Sequence, residues 1–376
     1  MTKQQISGKK NQMSYQIKIL SIDGGGIRAI IPCMILAEIE KRTQKPIFSL
    51  FDLIAGTSTG GITALGLTKP KYDSNDRYKL LEPPQAEYSA QNLLDLYVNH
   101  GAEMFYEPLI EQFLGEIDDI VRPRYSSAGI KDVLKRYLGE TPMKQALKEV
   151  IIPSYDIEIR SPVFFTNKIE NQETDSRNYR TICSGFTMIQ AAIATSALPS
   201  YFPPYHLPTS QNPSGFYTLI DGGVFANNPA NLAIMGAMIE AKKNGAHLNL
   251  DKILVVSLGT GSLTRKYSYD EAKNWGLLGW VQPLINVMLD SASEAIAAQL
   301  EQLLPKAHNN PPQYYRFQAF LSEELEALDN TKLENIRKIK EVASQIIEER
   351  NKDIDELCDQ LLSHYSAPQN EENENV

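Results

Sequence analysis

The order of strands, glycine-rich turns and helices in the sequence predicts an α/β fold built on a parallel sheet. An apolar strand runs into the triple glycine Gly24–Gly26, and a second apolar strand runs into the turn Gly56–Gly61. Helix-compatible residues follow both turns. A strand that passes through a glycine turn into a helix is the repeating unit of a parallel sheet. We therefore expect these two turns to lie at the same edge of one sheet.

The first two units of strand, glycine turn and helix are the clearest in the sequence. Residues 17–22 (IKILSI) form an apolar run that predicts a buried strand, and the helix after it continues to about Thr43. A second strand over Phe51–Ala55 leads through its glycine turn into a helix that ends near Leu67. Residues 69–88 are charged and rich in proline, so we expect an excursion on the surface.

Further elements follow along the chain. We expect helices near 89–99 and 127–138, strands near Glu149–Tyr155 and Val163–Phe165, a helix over Thr187–Ala197, and strands over Tyr217–Ile220 and Ile253–Ser257. The C-terminal third is predicted to be mostly helical, at about 282–304 and 330–363. No repeat or linker divides the sequence, so one domain is expected over 17–365. It would lie between a disordered segment, 1–16, and a disordered acidic tail, 366–376.

Composition excludes several classes of protein. With 376 residues, of which 42% are hydrophobic, the chain can bury a large core without disulfide bonds. Its three cysteines (Cys33, Cys183 and Cys358) are far apart and include no CxxC pair. This spacing excludes a disulfide scaffold and a cysteine zinc site, and it suits a reducing compartment. The net charge is −9 without a basic block, so a nucleic acid polymer is not an expected partner.

The sequence also predicts a cytoplasmic location. The first sixteen residues are polar and lack the apolar core of a secretory signal. The longest apolar stretches, such as Ile30–Leu36 and Leu284–Leu289, are too short to span a bilayer.

The motif Gly56-Thr57-Ser58-Thr59-Gly60 fits the pattern G-x-S-x-G. In this pattern a sharp turn between a strand and a helix exposes the serine hydroxyl above the edge of the sheet. The flanking glycines, Gly56 and Gly60, omit side chains that would block neighbouring backbone. Ser58 is therefore a candidate nucleophile. The alternative is a tight turn that carries an ordinary solvated serine.

The triple glycine Gly24-Gly25-Gly26 predicts an anion-binding turn, because it presents several backbone N–H groups just before a helix. Arg28 adds a cation beside them. The anion could be a phosphate or the oxyanion of an ester intermediate. Ala29 replaces the third glycine of a nucleotide-binding GxGxxG motif, and no Walker lysine follows. Beside a nucleophilic serine, an oxyanion hole is the better interpretation.

A serine nucleophile needs a base. Asp221 ends an apolar strand and is followed by Gly222 and Gly223, so its carboxylate can approach a neighbouring strand end. A carboxylate within about 2.6–3.2 Å can accept the serine proton, provided that the site stabilises the oxyanion or raises the aspartate pKa. The alternative for Asp221 is a turn that it closes through its own backbone. No downstream histidine follows a strand end with turn residues around it; these are His206, His247, His308 and His364.

Five co-linear motifs in this chain resemble those of the patatin-like phospholipases, a family of plant and bacterial lipid acyl hydrolases with a Ser–Asp dyad. They are SIDGGGIRAIIP (21–32), FDLIAGTSTGG (51–61), ATSALPSYFPP (194–204), DGGVFANNPA (221–230) and VVSLGTGS (255–262). Together they span about 17–262 in the family order. The sequence departs from the family at Ala29, where many members carry glycine, and at Gly223, where some carry alanine.

The resemblance implies a three-layer α/β/α fold with a mostly parallel central sheet. It also implies that Ser58 is the nucleophile, that Asp221 is the base, and that the amides of Gly24–Gly26 form the oxyanion hole with Arg28 close by. The expected substrate is a phospholipid or another acyl lipid, reached by transient contact with a membrane surface. No metal motif is present, and we expect no metal and no cofactor.

Two other functions stay open at this point. The enzyme could be an effector that a small molecule, such as a cyclic nucleotide, or a host protein activates. The protein could also bind or store lipid without hydrolysing it.

The remaining motifs have structural interpretations. We expect Asp23 to order the glycine turn, and Thr57 and Thr59 to stabilise the elbow. We expect Asn227-Asn228-Pro229 to end the loop after Asp221 and to begin a helix. Both tryptophans lie in the apolar segment Trp275–Trp280. This segment could form a lid or touch a membrane. The favoured interpretation is an amphipathic helix that covers the core.

Overall fold

The computed structural model describes residues 15–73, 76–106, 122–168, 180–182, 185–210, 212, 214–304 and 311–363. The predicted acidic tail, Cys183 and most of the predicted disordered segment lie outside these residues. Tyr15, which falls in that segment, is buried in the core. The ordered domain therefore begins earlier than the sequence suggests.

The strands of the described residues are defined first. They are β1 (Ile17–Ile22), β2 (Leu53–Gly56), β3 (Tyr72–Asp73), β4 (Asp76–Leu80), β5 (Glu149–Asp156), β6 (Ser161–Thr166), β7 (Arg180–Ile182), β8 (Tyr205–Pro208), β9 (Phe216–Asp221), β10 (Ile253–Leu258), β11 (Ser262–Leu263), β12 (Tyr314–Phe317) and β13 (Phe320–Leu321).

The central sheet is mostly parallel, as predicted. Five adjacent strands run in parallel in the order β12-β10-β1-β2-β5. Ile22 at the end of β1 pairs with Gly56 on one side and with Leu258 on the other. Beyond β2, strand β5 pairs in antiparallel fashion with β6 and with β9. The register of β5 and β9 places Asp221 opposite Ser154, beside the carboxyl ends of the parallel strands.

Helices connect the strands. They are α1 (Ile30–Thr43), α2 (Ile47–Leu50), α3 (Thr59–Thr68), α4 (Ala90–Met104), α5 (Ser127–Tyr137), α6 (Met188–Thr195), α7 (Gly223–Ala226), α8 (Ala230–Lys243), α9 (Tyr269–Ala272), α10 (Leu277–Leu303), α11 (Leu333–Glu349) and α12 (Asn351–Leu362). None of the described helices combines the length and the apolar character needed to cross a membrane.

Helices cover both faces of the sheet and form the predicted three layers. Successive side chains of a strand point to opposite faces. Leu20 and Ile22 accordingly pack in the larger core with α1, α3 and α4, whereas Ile19 packs in a smaller core with Ala233 and Ile234 of α8. The strands are buried on both sides, which explains why they appear in the sequence as continuous apolar runs.

The structure corrects several predicted elements. The excursion at 69–88 contains the short hairpin β3–β4. The C-terminal third is mostly helical, as predicted, but it also contains the unpredicted strand β12, which adds an edge strand beside β10. The predicted helix 330–363 is two helices that meet at Arg350. Helix α10 begins at Leu277 rather than near 282 and contains Pro283, which can donate no hydrogen bond to the preceding turn.

Candidate active site

Ser58 occupies a sharp elbow between β2 and α3. Its φ of 54° and ψ of −125° are rare for a residue with a side chain, and such strain is characteristic of functional sites. The elbow brings backbone segments so close that the flanking glycines admit no substitute. A Cβ on Gly56 would lie 2.2 Å from the Gly60 oxygen, and a Cβ on Gly60 would lie 2.3 Å from the Ile22 oxygen.

Threonine side chains hold the elbow in place. The amide of Ser58 donates to Thr195 Oγ1 at 3.0 Å, and that hydroxyl donates to the Pro153 oxygen at 2.6 Å. Thr57 Oγ1 donates to the Ala226 oxygen at 2.6 Å. The elbow is thereby tied to β5 and to the segment after Asp221. Sequence reasoning anticipated the role of Thr57 but did not single out Thr195, which lies in the motif at 194–204.

Asp221 ends β9 with its side chain buried beneath the elbow. Its Oδ1 accepts a 2.7 Å hydrogen bond from the Gly223 amide. A Cβ on Gly222 would lie 2.3 Å from the Pro153 oxygen, so this glycine allows the chain to turn against β5. The Ser58 side chain lies beside the Asp221 carboxylate, close enough to influence its pKa, and both residues line the same pocket. The structure thus brings the two predicted dyad residues together.

Burial raises the pKa of Asp221 to about 7, even though the nearby Ser58 side chain and the Gly223 amide favour the charged form and act in the opposite direction. A general base works best when its pKa lies near the pH of the reaction. Sequence reasoning identified the weak basicity of an ordinary aspartate as the obstacle for such a dyad, and burial reduces that obstacle.

The triple glycine lies beside Ser58. Gly26 has a φ of +58°, and a Cβ there would lie 2.1 Å from the Leu328 oxygen. The Gly24 amide donates to the backbone oxygen of Asn227 at 3.2 Å, so this amide is already hydrogen-bonded within the protein. The amides of Gly25 and Gly26 have no acceptor among the described residues, and both glycines line the pocket that contains Ser58. These two amides are therefore the donors that a bound anion could use.

Arg28 lies behind this turn rather than in the pocket. Its side chain is buried, and Nε donates to the Gly25 oxygen at 3.4 Å. Burial lowers the pKa of Arg28, while the nearby Asp290 carboxylate favours its charged form. Arg28 can therefore support the turn from behind, but it does not line the pocket as the amides do.

The pocket beside Ser58 and Asp221 is mostly apolar. Most of its lining side chains are hydrophobic: Met104, Phe105, Ile130, Leu198, Tyr201, Phe202, Leu289 and Leu328. An apolar lining of this kind, with a few polar groups such as Ser58 and Asp221 among it, matches the chemistry of an acyl ester. His206 and His247 do not line it, and His206 instead packs against Phe216 with ring centroids 4.3 Å apart. His308 and His364 lie outside the described residues.

Among the residues that the structure describes, no group of three histidine, cysteine or carboxylate side chains could hold a metal ion.

Comparison with protein families identifies the fold. The family model described as patatin-like phospholipase matches residues 20–234, more than half of the chain. The chain belongs to the patatin-like phospholipase family. The predicted resemblance is confirmed, and at the level of the family the protein is a lipid acyl hydrolase.

Relatives match this patatin-like chain over most of its length. Patatin-like protein 1 of Arabidopsis thaliana is 30% identical over 86% of this chain and 80% of its own. Patatin-08 of Solanum tuberosum is 32% identical over 94% of this chain and 90% of its own. Probable inactive patatin-3-Kuras 1 of Solanum tuberosum is 35% identical over 72% of this chain and 70% of its own. Because one relative is named as inactive, family membership alone does not establish turnover.

Two supports of the patatin-like site were not evident from the sequence. Asp23, next to the glycine turn, forms a buried two-bond ion pair with Arg316 of β12, at 2.7 and 3.0 Å. Arg316 was missed because β12 itself was not predicted. The Gly24 oxygen accepts hydrogen bonds from Thr260 Oγ1 at 2.7 Å and from Asn227 Nδ2 at 3.3 Å. Asn227 thus holds the glycine turn as well as ending the loop, as expected.

Proposed function

We infer that this protein hydrolyses fatty-acyl esters of phospholipids, with Ser58 as the nucleophile and Asp221 as the base. The observation that carries this proposal is the placement of Ser58, on its strained elbow, and of the buried Asp221 carboxylate in one pocket. The two amides of Gly25 and Gly26, which find no acceptor among the described residues, support it. The apolar pocket beside them suits the acyl chain.

In the first half of the reaction Ser58 Oγ attacks the ester carbonyl carbon while Asp221 accepts its proton. The carbonyl oxygen gains negative charge, and the amides of Gly25 and Gly26 donate hydrogen bonds to it. The bond to the alcohol then breaks, Asp221 returns the proton to the leaving oxygen, and a lysolipid departs. The acyl group stays on Ser58.

In the second half Asp221 accepts a proton from a water molecule, which attacks the acyl-serine carbonyl carbon. The same two amides stabilise the second oxyanion. When the intermediate collapses, the fatty acid leaves and Ser58 regains its proton from Asp221. No step uses a metal ion or a cofactor, so we expect hydrolysis to continue in the presence of a chelator.

The first test compares fatty-acid release from a mixed phospholipid dispersion by the unmodified protein and by Ser58→Ala, with chelator present. We expect Ser58→Ala to lower the rate by at least about 10³-fold. Ser262→Ala is the matched control, because Ser262 follows another glycine turn but lacks the elbow conformation. Equal rates for Ser58→Ala and the unmodified protein would refute the assignment of the nucleophile.

A serine-reactive phosphonate separates the other two functions. Modification of Ser58 without lipid hydrolysis would indicate an enzyme that lacks its small-molecule or protein activator. If the phosphonate does not modify Ser58 and no lipid is hydrolysed, the results would favour a lipid-binding protein without turnover. The cytoplasmic location stays a prediction, and fractionation of the source cells tests it.

A further inference from the structure

The first turns of α10 expose more apolar surface than a helix that only covers a core. Leu277 and Leu278 are 85% and 63% exposed, and four more large apolar side chains are also exposed: Trp280, Val281, Leu284 and Val287. We call these six residues the apolar head of α10. From Ile285 onward the helix becomes amphipathic and packs Leu289, Ala297 and Leu300 inward. The favoured interpretation from sequence is therefore right for the later turns and wrong for the first ones.

The chemistry of the apolar head indicates what binds it. Residues 274–289 contain no charged side chain, although the protein as a whole carries a net charge of −9. Trp280 contacts Trp275, whose ring in turn packs against Tyr267, with centroids 5.0 and 5.1 Å apart. Aromatic rings with a polar edge favour the boundary between lipid chains and water, and leucine side chains favour the chains themselves. An uncharged apolar surface with aromatic side chains therefore suits a lipid bilayer.

The apolar head also adjoins the pocket. Gln282 Nε2 donates to Tyr201 OH at 3.2 Å, and Tyr201 lines the pocket. Leu289, on the same helix and about one and a half turns after Leu284, lines the pocket as well. A surface that rests on the apolar head would therefore lie next to the entrance for the acyl chain. An acyl lipid could pass from a bilayer to Ser58 with little of its chain exposed to water.

We propose that the apolar head of α10 docks the protein on a lipid bilayer and presents the pocket to it. This proposal rests on the proposed function for its substrate, but the docking itself requires no chemistry. Because the contact is apolar, it works on a neutral bilayer and is insensitive to salt.

The binding test uses Ser58→Ala, so that the vesicles are not consumed, and vesicles of phosphatidylcholine. We expect sedimentation with the vesicles at both 50 mM and 500 mM salt. Replacing Leu277, Leu278 and Trp280 together by serine should weaken binding at least about tenfold. Phe320→Ser with Leu333→Ser is the matched control, because these side chains are 78% and 82% exposed on other elements. The control should bind as before.

Tryptophan fluorescence gives a second measurement that needs no disruptive variant. Trp275 and Trp280 are the two tryptophans of the sequence, so all tryptophan emission reports on this segment. We expect a blue shift on vesicle addition and quenching by brominated phosphatidylcholine. Absence of both, with lipid in excess, would overturn the proposal. Unchanged vesicle binding by the triple variant would also overturn the proposal. If that variant bound vesicles as before but changed from a dimer to a monomer, the apolar head would be an interface between two copies of the chain and not a bilayer contact.

Activity assays separate this proposal from the proposed function. In the chain with Ser58 intact, the triple variant should retain its kcat/KM on a soluble short-chain ester and lose at least about tenfold on vesicles. An equal loss on both substrates would overturn docking as the role of the apolar head. If the unmodified protein hydrolyses neither substrate and the phosphonate does not modify Ser58, the proposed function fails, while the binding and fluorescence results still decide the docking.

Discussion

The Ser58 elbow lines the pocket and the apolar head of α10 lies near it, joined to the pocket residue Tyr201 through Gln282, yet the two regions are built in opposite ways. Around Ser58, backbone atoms lie so close that a single added carbon at Gly56 or Gly60 would overlap an oxygen. Around Leu277 and Leu278, side chains extend into open space. The conformation of the elbow is fixed by the backbone atoms packed around it, whereas the side chains of the apolar head are left exposed by the described residues.

This difference separates two requirements of the proposed enzyme. Chemistry needs reacting groups held in fixed positions, because small displacements sharply reduce the rate. Contact with a bilayer needs only apolar area at the correct place. We therefore expect substitutions at the elbow to affect stability and activity together, and substitutions at the apolar head to affect neither stability nor hydrolysis of soluble substrates.

The largest combined effect on stability and activity is expected for Gly60→Ala. The new Cβ would lie 2.3 Å from the Ile22 oxygen and 2.6 Å from the Asp23 oxygen, both backbone atoms that cannot rotate away. The end of β1 or the elbow must shift, so we expect activity below about 1% of normal and a cost of several kcal/mol in unfolding free energy.

Ester hydrolysis and thermal unfolding measure both consequences. Gly276→Ala is the control, because a Cβ at Gly276 would meet nothing within 4 Å. It should change Tm by no more than about 1 °C. A fully active and stable Gly60→Ala protein would show that the elbow is not as constrained as its contacts indicate.

Asp221→Asn should show that burial of the charged Asp221 carboxylate destabilises the folded protein. In the unmodified protein, burial raises the Asp221 pKa from 3.8 to about 7, so the folded state retains a proton that the unfolded state has released. Stability contributed by the protonated group is complete below pH 4 and is lost as the pH rises toward 7. Asparagine does not titrate, so the Tm of Asp221→Asn relative to the unmodified protein should rise by about 2–5 °C between pH 4 and pH 8.

The same substitution should abolish hydrolysis, with a loss of about 10³-fold or more. In the unmodified protein kcat/KM should increase with pH and reach half its maximum near pH 7, where Asp221 ionises. Measurements of rate and Tm over the same pH range test both statements. A half-maximal rate near pH 4 with no difference in relative Tm would mean that Asp221 is neither perturbed nor the base.

The elbow could be predicted from sequence because each of its structural requirements corresponds to a recognisable local sequence pattern. Gly56, Gly60 and Gly222 mark close backbone approaches, and apolar runs before Ser58 and Asp221 mark the ends of buried strands. The fold follows from the same signals, because a glycine turn after a buried strand recurs at both units of the sheet.

Other features leave no local mark. Thr195 accepts from the Ser58 amide across 137 residues, and Arg316 pairs with Asp23 across 293 residues. Only the folded sheet brings such pairs together. The bonding of the Gly24 amide to Asn227 is likewise a tertiary contact, so the sequence could not reduce three candidate amides to two. The apolar head was misassigned because residues 277–284 have the composition of a core helix, and composition does not reveal whether anything covers it.

The smallest effect is expected at the apolar head, and two leucines on α10 measure it. Leu278 is 63% exposed and Leu289 is 6% exposed, although they share a helix and differ by three turns. Leu289→Ala leaves a cavity in the wall of the pocket and should cost about 2–4 kcal/mol in unfolding free energy. Leu278→Ala shortens a side chain that mostly faces solvent and should change the unfolding free energy by no more than about 0.5 kcal/mol. Denaturant unfolding of both variants compares them directly. A cost above about 2 kcal/mol for Leu278→Ala would mean that the protein itself covers the head, and the contrast between a packed elbow and an open helix end would then disappear.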